Sequence, residues 1–216
     1  MRDIVIEPTA IKNFLKLGVS MIGKTELLEQ ISGVNRGLLT SENDRIAINA
    51  TIAQLEDRNP TPRPVEAAEL LQGNWRLLYT TSAELLGLGR FPLVQLGQIY
   101  QCIRIREAKL YNIAEVQGIP YLEGLVTVSA QFAPITEKRV QVQFQRSIVG
   151  LQRVLGYQSP SPWIEQINVQ PKLKAIDFEI DPQRTPGWLD TTYLDSDLRI
   201  GRGNGGSLFV LTKTPG

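Results

Sequence analysis

The chain has 216 residues, 42% of them hydrophobic, with 23 Lys and Arg against 22 Asp and Glu. That near-neutral balance, with no basic run interleaved with aromatics, excludes the electrostatic footprint of a nucleic-acid binder. Histidine does not occur, which removes imidazole triads, histidine general bases and His-ligated zinc, and the single Cys102 builds neither an intrachain disulfide nor a thiolate metal site.

The first 70 residues carry a helical period. In "TAIKNFLKLG", Thr9 caps a stripe of Ile11, Phe14 and Leu15 that ends at Gly18. "TELLEQISGVNRG" repeats the pattern with Leu27, Leu28, Ile31 and Val34, closed by Gly37. "SENDRIAINATIAQLEDRNP" pairs Ser41 with Asp44 as a capping box before a stripe of Ile48, Ile52 and Leu55, and Pro60 stops it. The Pro-rich "NPTPRP" reads as a linker, and "VEAAELLQG" as one short helix. Arg2, Asp3, Glu7, Lys12 and Lys16 break the opening segment, so no secretory signal is expected. Apolar runs are too short for a membrane span, and any membrane contact is expected to be peripheral.

From Asn74 the period becomes two. Eight strand candidates follow, at about 74–81, 98–106, 109–117, 123–133, 138–146, 173–181, 189–200 and 206–213. Trp75/Leu77/Tyr79, Ile99/Gln101/Ile103/Ile105, Val126/Val128/Ala130/Phe132 and Val140/Val142/Phe144 form alternating rows. Gln141, Gln143 and Gln145 face the other way, as do Thr127, Ser129 and Gln131. One wet and one dry face with short connections predict an antiparallel meander, and eight such strands predict an up-and-down barrel, filled or holding one small ligand. The fold expected is α+β: a helical region at 1–72 packed on a β-barrel at 73–216, as one cooperative unit.

Two connections are long and apolar. Residues 83–97 contain Leu85, Leu86, Leu88 and Phe91; residues 147–171 contain Leu151, Leu155 and Trp163. Loops of this length and composition are too hydrophobic for disorder. They either complete the core or form an apolar mouth that binds a ligand or touches a membrane.

Near the end, "LRIGRGNGGSLFVL" spells the dinucleotide fingerprint at Gly201, Gly203 and Gly206. Only ten residues follow Gly206, too few for the helix and second parallel strand that the fingerprint needs. Asn204-Gly205 between two strand-like runs is a hairpin turn instead. Just upstream, "TTYLDSDLRIGRG" reads as a strand with Tyr193, Asp195, Asp197 and Arg199 on one face. Two carboxylates at i, i+2 can share acid–base work or hold a cation; beside an arginine they more commonly form an ion-pair ladder. No metal and no cofactor are expected.

Gly73-Asn74-Trp75 opens the first strand, with Gly73 ending the helix and Trp75 heading the inward row. Gly-x-Trp also opens lipocalin-like barrels, in which an arginine from a late strand packs across the indole. Arg199 is the candidate for that structural role, and Arg146 the second.

"GNWRLLYTTS", "GQIYQCIRI", Asn112 and "YLDSDLRIGRGNGGSLFVLTK", with "LEDRNPTPRP" and "LLQGNWRLLYTTS" upstream, together resemble the plastid lipid-associated protein family, the fibrillins, over roughly residues 20–213. The resemblance implies a lipocalin-like barrel and association with thylakoids and plastoglobules. It also implies non-catalytic binding or organising of carotenoids, prenylquinones or other apolar lipids, and photoprotection. Asp195, Asp197 and Arg199 match a terminal family pattern that has no settled chemical role. Without a transit peptide the chain resembles a cyanobacterial-type member, placed in the cytoplasm or on the cytoplasmic face of the thylakoid, or a processed plastid form. The alternatives are an enzyme or accessory subunit of prenylquinone or lipid metabolism, and a coat protein with a filled barrel.

Overall fold

The computed structural model describes residues 23–87, 95–118, 120–181 and 186–215. The expected helix carrying Ile11, Phe14 and Leu15 lies outside them, as do Leu88 and Phe91.

Helix α1 runs through 23–32 and α2 is Glu42–Asp57. The α2 start is fixed by the capping box read from sequence: the Asp44 amide donates to Ser41 Oγ and the Ser41 amide to Asp44 Oδ2. Between the helices, Gly37 sits at φ +110° with a Cβ position only 2.3 Å from the Thr80 carbonyl oxygen. Any side chain there collides with the first strand. Leu27, Ile31 and Val34 of the first stripe are buried with Ile48, Ile52 and Leu55 of the second. Leu28, expected in that stripe, is exposed instead.

The Pro-rich segment is docked rather than a free linker. Leu194 N donates to Asn59 Oδ1 (3.0 Å), and Thr61 Oγ1 donates to the Leu194 carbonyl (2.7 Å). A 3₁₀ turn (Pro64–Glu66) and α3 (Ala68–Leu71) then bring Ala67, Leu70 and Leu71 against the inward-facing strand residues. These elements plug one end of the barrel, called the base below.

The sheet comprises β1 (Gly73–Thr80), β2 (Gln95–Arg104), β3 (Lys109–Gln117), β4 (Gly124–Pro134), β5 (Arg139–Leu151), β6 (Ile176–Glu179), β7 (Gly187–Leu194), β8 (Leu198–Gly203) and β9 (Leu208–Thr214). All pairings between them are antiparallel. The order β4-β3-β2-β1-β9-β8-β7-β5-β6, with β4 also paired to β5, closes a ring. Closure removes the unpaired edges that would otherwise template association.

Several of the expected strands have different bounds: β2 begins at Gln95, and β5 runs on to Leu151 into the connection expected at 147–171. The candidate at 189–200 is a hairpin, β7 and β8, folded at Asp195-Ser196-Asp197. The candidate at 173–181 shortens to β6, which pairs with β5 at 146–149, while β7 pairs with the same edge of β5 at 139–142. β6 and β7 thus behave as one interrupted strand. The ring itself has eight strands, and β6 extends it along β5.

Bulges redirect side chains. One between Leu77 and Tyr79 sends Trp75 and Leu77 inward but Tyr79 outward, breaking the row expected from alternation. Tyr79 instead joins Tyr193, Ile200 and Val210 under α1 and α2. A second outer layer covers β2–β5, where Cys102, Tyr111, Ile113 and Ile148 pack beneath α5 (Gln152–Leu155) and α6 (Pro160–Val169). The barrel is therefore sheathed on both sides, and its inner face forms a third cluster.

Candidate functional site

At the base of the barrel, Trp75 is fully buried, and its indole nitrogen donates to the Leu71 carbonyl of α3 (2.8 Å). The Arg199 guanidinium lies 5.1 Å from the ring centroid and Lys213 Nζ 5.3 Å. Lys213 also donates to the Leu70 carbonyl (2.8 Å), so the indole, the plug helix and two cations close this end together. Burial pushes the Arg199 guanidinium down to about 9. Its Nε and Nη1 are buried with no hydrogen-bond partner. Arg146 takes no part. It sits on the outer wall in a forked ion pair with Asp177 (2.8 and 2.6 Å).

Above the base the inner wall turns polar. Arg199 Nη2 donates to Gln101 Oε1, and Gln101 Nε2 donates to Asn112 Oδ1 (3.1 Å). Gln101 and Asn112 are directly paired across β2 and β3. Their inward neighbours Ile99, Ile103, Leu110 and Ala114 are buried. Gln101, Asn112, Val126 and Val128 nevertheless remain only half-buried, although their strand positions point them into the barrel. A filled core would bury all four. These four side chains therefore keep part of their surface accessible on the β2–β4 side.

The two apolar connections part company. Helix α4 (Ala83–Gly87) begins the first; Leu86 is buried and Leu85 packs on the inner cluster. In the second, Leu155 and Trp163 are buried on the outer wall, where Trp163 Nε1 donates to Thr127 Oγ1 (2.9 Å). Both are plugs of the outer layer and do not line the mouth. On α6, Trp163, Ile164 and Ile167 share one helical face, and with Leu155 of α5 they lie over the strands. Leu151 ends β5 and is exposed. It stands at the end of the barrel opposite the base, near exposed Tyr121, Leu122, Val154 and Ile176.

Asp195 and Asp197 do not share a strand face with Arg199. Asp195 Oδ1 accepts from the amides of Asp197 (2.9 Å) and Leu198 (2.7 Å), and Oδ2 accepts from the Tyr193 hydroxyl (2.8 Å). Lys24 of α1 bridges both carboxylates. Burial acts to raise the Asp195 carboxyl, but these donors hold it below the usual carboxylate range. The pair fastens the β7–β8 turn to the helical layer. Arg199 points inward because the turn resets the face, and Gly201 follows it in the inward row. Among the described residues no cluster of acidic or cysteine side chains could hold a metal ion.

A surface depression of about 600 Å³ lies on the outer wall, with Gln131, Gln143, Gln145, Lys109, Arg146 and Glu179 in its lining. Amides and charges make it a poor match for an apolar chain.

The family model PAP_fibrillin matches residues 21–212. The chain belongs to the PAP/fibrillin family. It is similar to the chromoplast-specific carotenoid-associated protein of Cucumis sativus, 35% identical over 219 residues that cover 88% of this chain and 67% of the relative. It is 34% identical to the probable plastid-lipid-associated protein 2 of Arabidopsis thaliana, covering 88% and 70%. Plastoglobulin-1 of Pisum sativum is 36% identical, with 88% and 60% covered. The chain thus spans roughly 60–70% of the length of these relatives. No solved structure matches it. No helix among the described residues is long and apolar enough to cross a membrane.

For this fibrillin the matched interval runs from α1 to the last strand, so helices and barrel fall within the same family unit. Gln101 and Asn112 were not among the expected site residues. The signal that finds them is a polar residue set in an apolar row: Gln101 between Ile99 and Ile103, Asn112 between Leu110 and Ala114.

Proposed function

We propose that this fibrillin binds one apolar lipid (a carotenoid, a prenylquinone or a membrane lipid) inside its barrel and carries or organises it at a photosynthetic membrane without chemical change. The single observation that carries the reading is the half-buried inner wall at Gln101, Asn112, Val126 and Val128, above a base sealed by Trp75, Arg199 and α3. Relatives whose names describe carotenoid and plastid-lipid association support it. Asp195 and Asp197, the only carboxylate pair the sequence put forward for chemistry, are committed to a turn and to Lys24. The exposed Tyr121, Leu122, Leu151, Val154 and Ile176 at the far end suit peripheral contact with a bilayer.

On this reading the protein works in the cytoplasm or on the cytoplasmic thylakoid surface of a cyanobacterium, or in a plastid. The test is mass spectrometry of organic extracts from purified protein, with uptake of the hydrocarbon fluorophore diphenylhexatriene. A stoichiometric lipid or saturable uptake supports the proposal. A clean extract together with no uptake overturns it.

A further inference from the structure

The polar chain on the inner wall has a direction, and the direction is forced. Arginine only donates, so Gln101 must present its oxygen to Arg199 and its NH₂ group to Asn112. Asn112 accepts through Oδ1 and is left with Nδ2 as its free end. Among the described residues no side chain or backbone oxygen accepts from that nitrogen. Each group is polarised by the one before it, and the chain starts at a buried cation that forms no ion pair among the described residues.

We infer that the inner-wall relay Arg199–Gln101–Asn112 is a head-group site that selects lipids whose buried end is an acceptor oxygen, a carbonyl or a carboxylate. The inference rests on the reading that the barrel interior holds a lipid, and adds which end goes in and what chemistry it carries. An amide N–H donor at the end of a cation-led chain pairs with an acceptor oxygen and repels an ammonium group. The surrounding Ile99, Leu110 and Ala114 accept the chain but offer no hydrogen bond. A pure hydrocarbon leaves the Asn112 donor desolvated and unpaired, at a cost the acceptor-headed lipid avoids.

The experiment uses the full chain loaded with diphenylhexatriene and displaced by stearic acid, methyl stearate, octadecane or octadecylamine. Stearic acid and methyl stearate are expected to displace the probe at concentrations about 10-fold lower than octadecane, and octadecylamine to be the weakest. The acid and the ester separate carboxylate from neutral carbonyl, and preference for either supports the site. In Asn112→Leu the advantage of both should vanish, because octadecane no longer strands a buried donor and should displace the probe as well as they do. Asn112→Asp, which presents an acceptor instead, should invert the order in favour of the amine. Thermal melts identify a variant that fails to fold, and the displacement series on the unaltered protein then decides alone. Equal displacement by acid, ester, hydrocarbon and amine overturns the head-group site while leaving the lipid reading intact. No uptake of diphenylhexatriene overturns the lipid reading, and this inference falls with it.

Discussion

Arg202 of β8 and Glu56 of α2 form a forked ion pair, with Nε and Nη2 each 2.9 Å from a carboxylate oxygen. The pair bridges the helical layer and the barrel at a half-exposed position. Its own contribution is modest, about 1 kcal/mol or less, because solvent screens it. The apolar contact behind it is what joins the layers, since Ile48, Ile52 and Leu55 bury completely against Tyr79, Tyr193, Ile200 and Val210.

Removing residues 1–60 is therefore expected to give an insoluble or strongly destabilised barrel, because the outer faces of β1, β7, β8 and β9 lose their cover. Ile52→Ala alone should cost about 2–5 kcal/mol, against under about 1 kcal/mol for Glu56→Gln. Urea titration of both variants checks the ratio. A soluble deletion with an unchanged melting temperature would show that the barrel stands alone.

Arg199→Ala should lower stability by about 1–3 kcal/mol through lost packing and the lost cation–π contact. Two opposing effects set that value: the guanidinium braces Trp75, yet two of its nitrogens are buried without partners. Trp75 fluorescence should also change as its polar cover is lost. A variant more stable than the parent would mean the orphaned donors outweigh the brace.

The Arg146–Asp177 pair predicts a specific acid response. Hydrogen bonding from Arg146 holds the Asp177 carboxyl below its ordinary value, more than offsetting the effect of burial. A depressed carboxyl contributes stability above its unfolded pKa and loses it as pH falls through the folded value, so the loss is expected below about pH 4. Asp177→Asn should cost about 2 kcal/mol or more at neutral pH by stranding the Arg146 cation. Melts from about pH 7 to pH 2 should converge with the parent at the acid end; parallel curves would count against the pair.

Burial pushes the Cys102 thiol up to about 12, and the side chain lies beneath α6 with no exposed surface. The native protein should not react with a thiol reagent at about pH 8, and should react stoichiometrically once unfolded. Fast native labelling would mean that α6 opens readily from the outer wall.

Leu155→Ser and Ile176→Ser separate plug from rim. The first buries a hydroxyl in the outer layer and should cost about 2–4 kcal/mol with vesicle binding changed only through unfolding. The second changes an exposed residue and should weaken vesicle co-sedimentation at constant melting temperature. The reverse pattern would place the membrane-facing surface on α5 and α6.

Local patterns that repeat within a few residues were legible in the sequence alone. These include the Ser41–Asp44 box, the stripe at Ile48, Ile52 and Leu55, the period-two strands and the turn at Asn204–Gly205. They are set by backbone geometry and by one apolar face at a time. Tertiary structure decided the rest because it depends on register and on which face meets which layer. A bulge at Leu77/Tyr79 turns Tyr79 outward, and a hairpin turn takes Asp195 and Asp197 away from the Arg199 face. Trp163 has the hydrophobicity of a mouth residue and the position of an outer plug. The relay from Arg199 through Gln101 to Asn112 joins residues 98 and 11 positions apart in the chain, so only ring closure brings its three polar groups into one line.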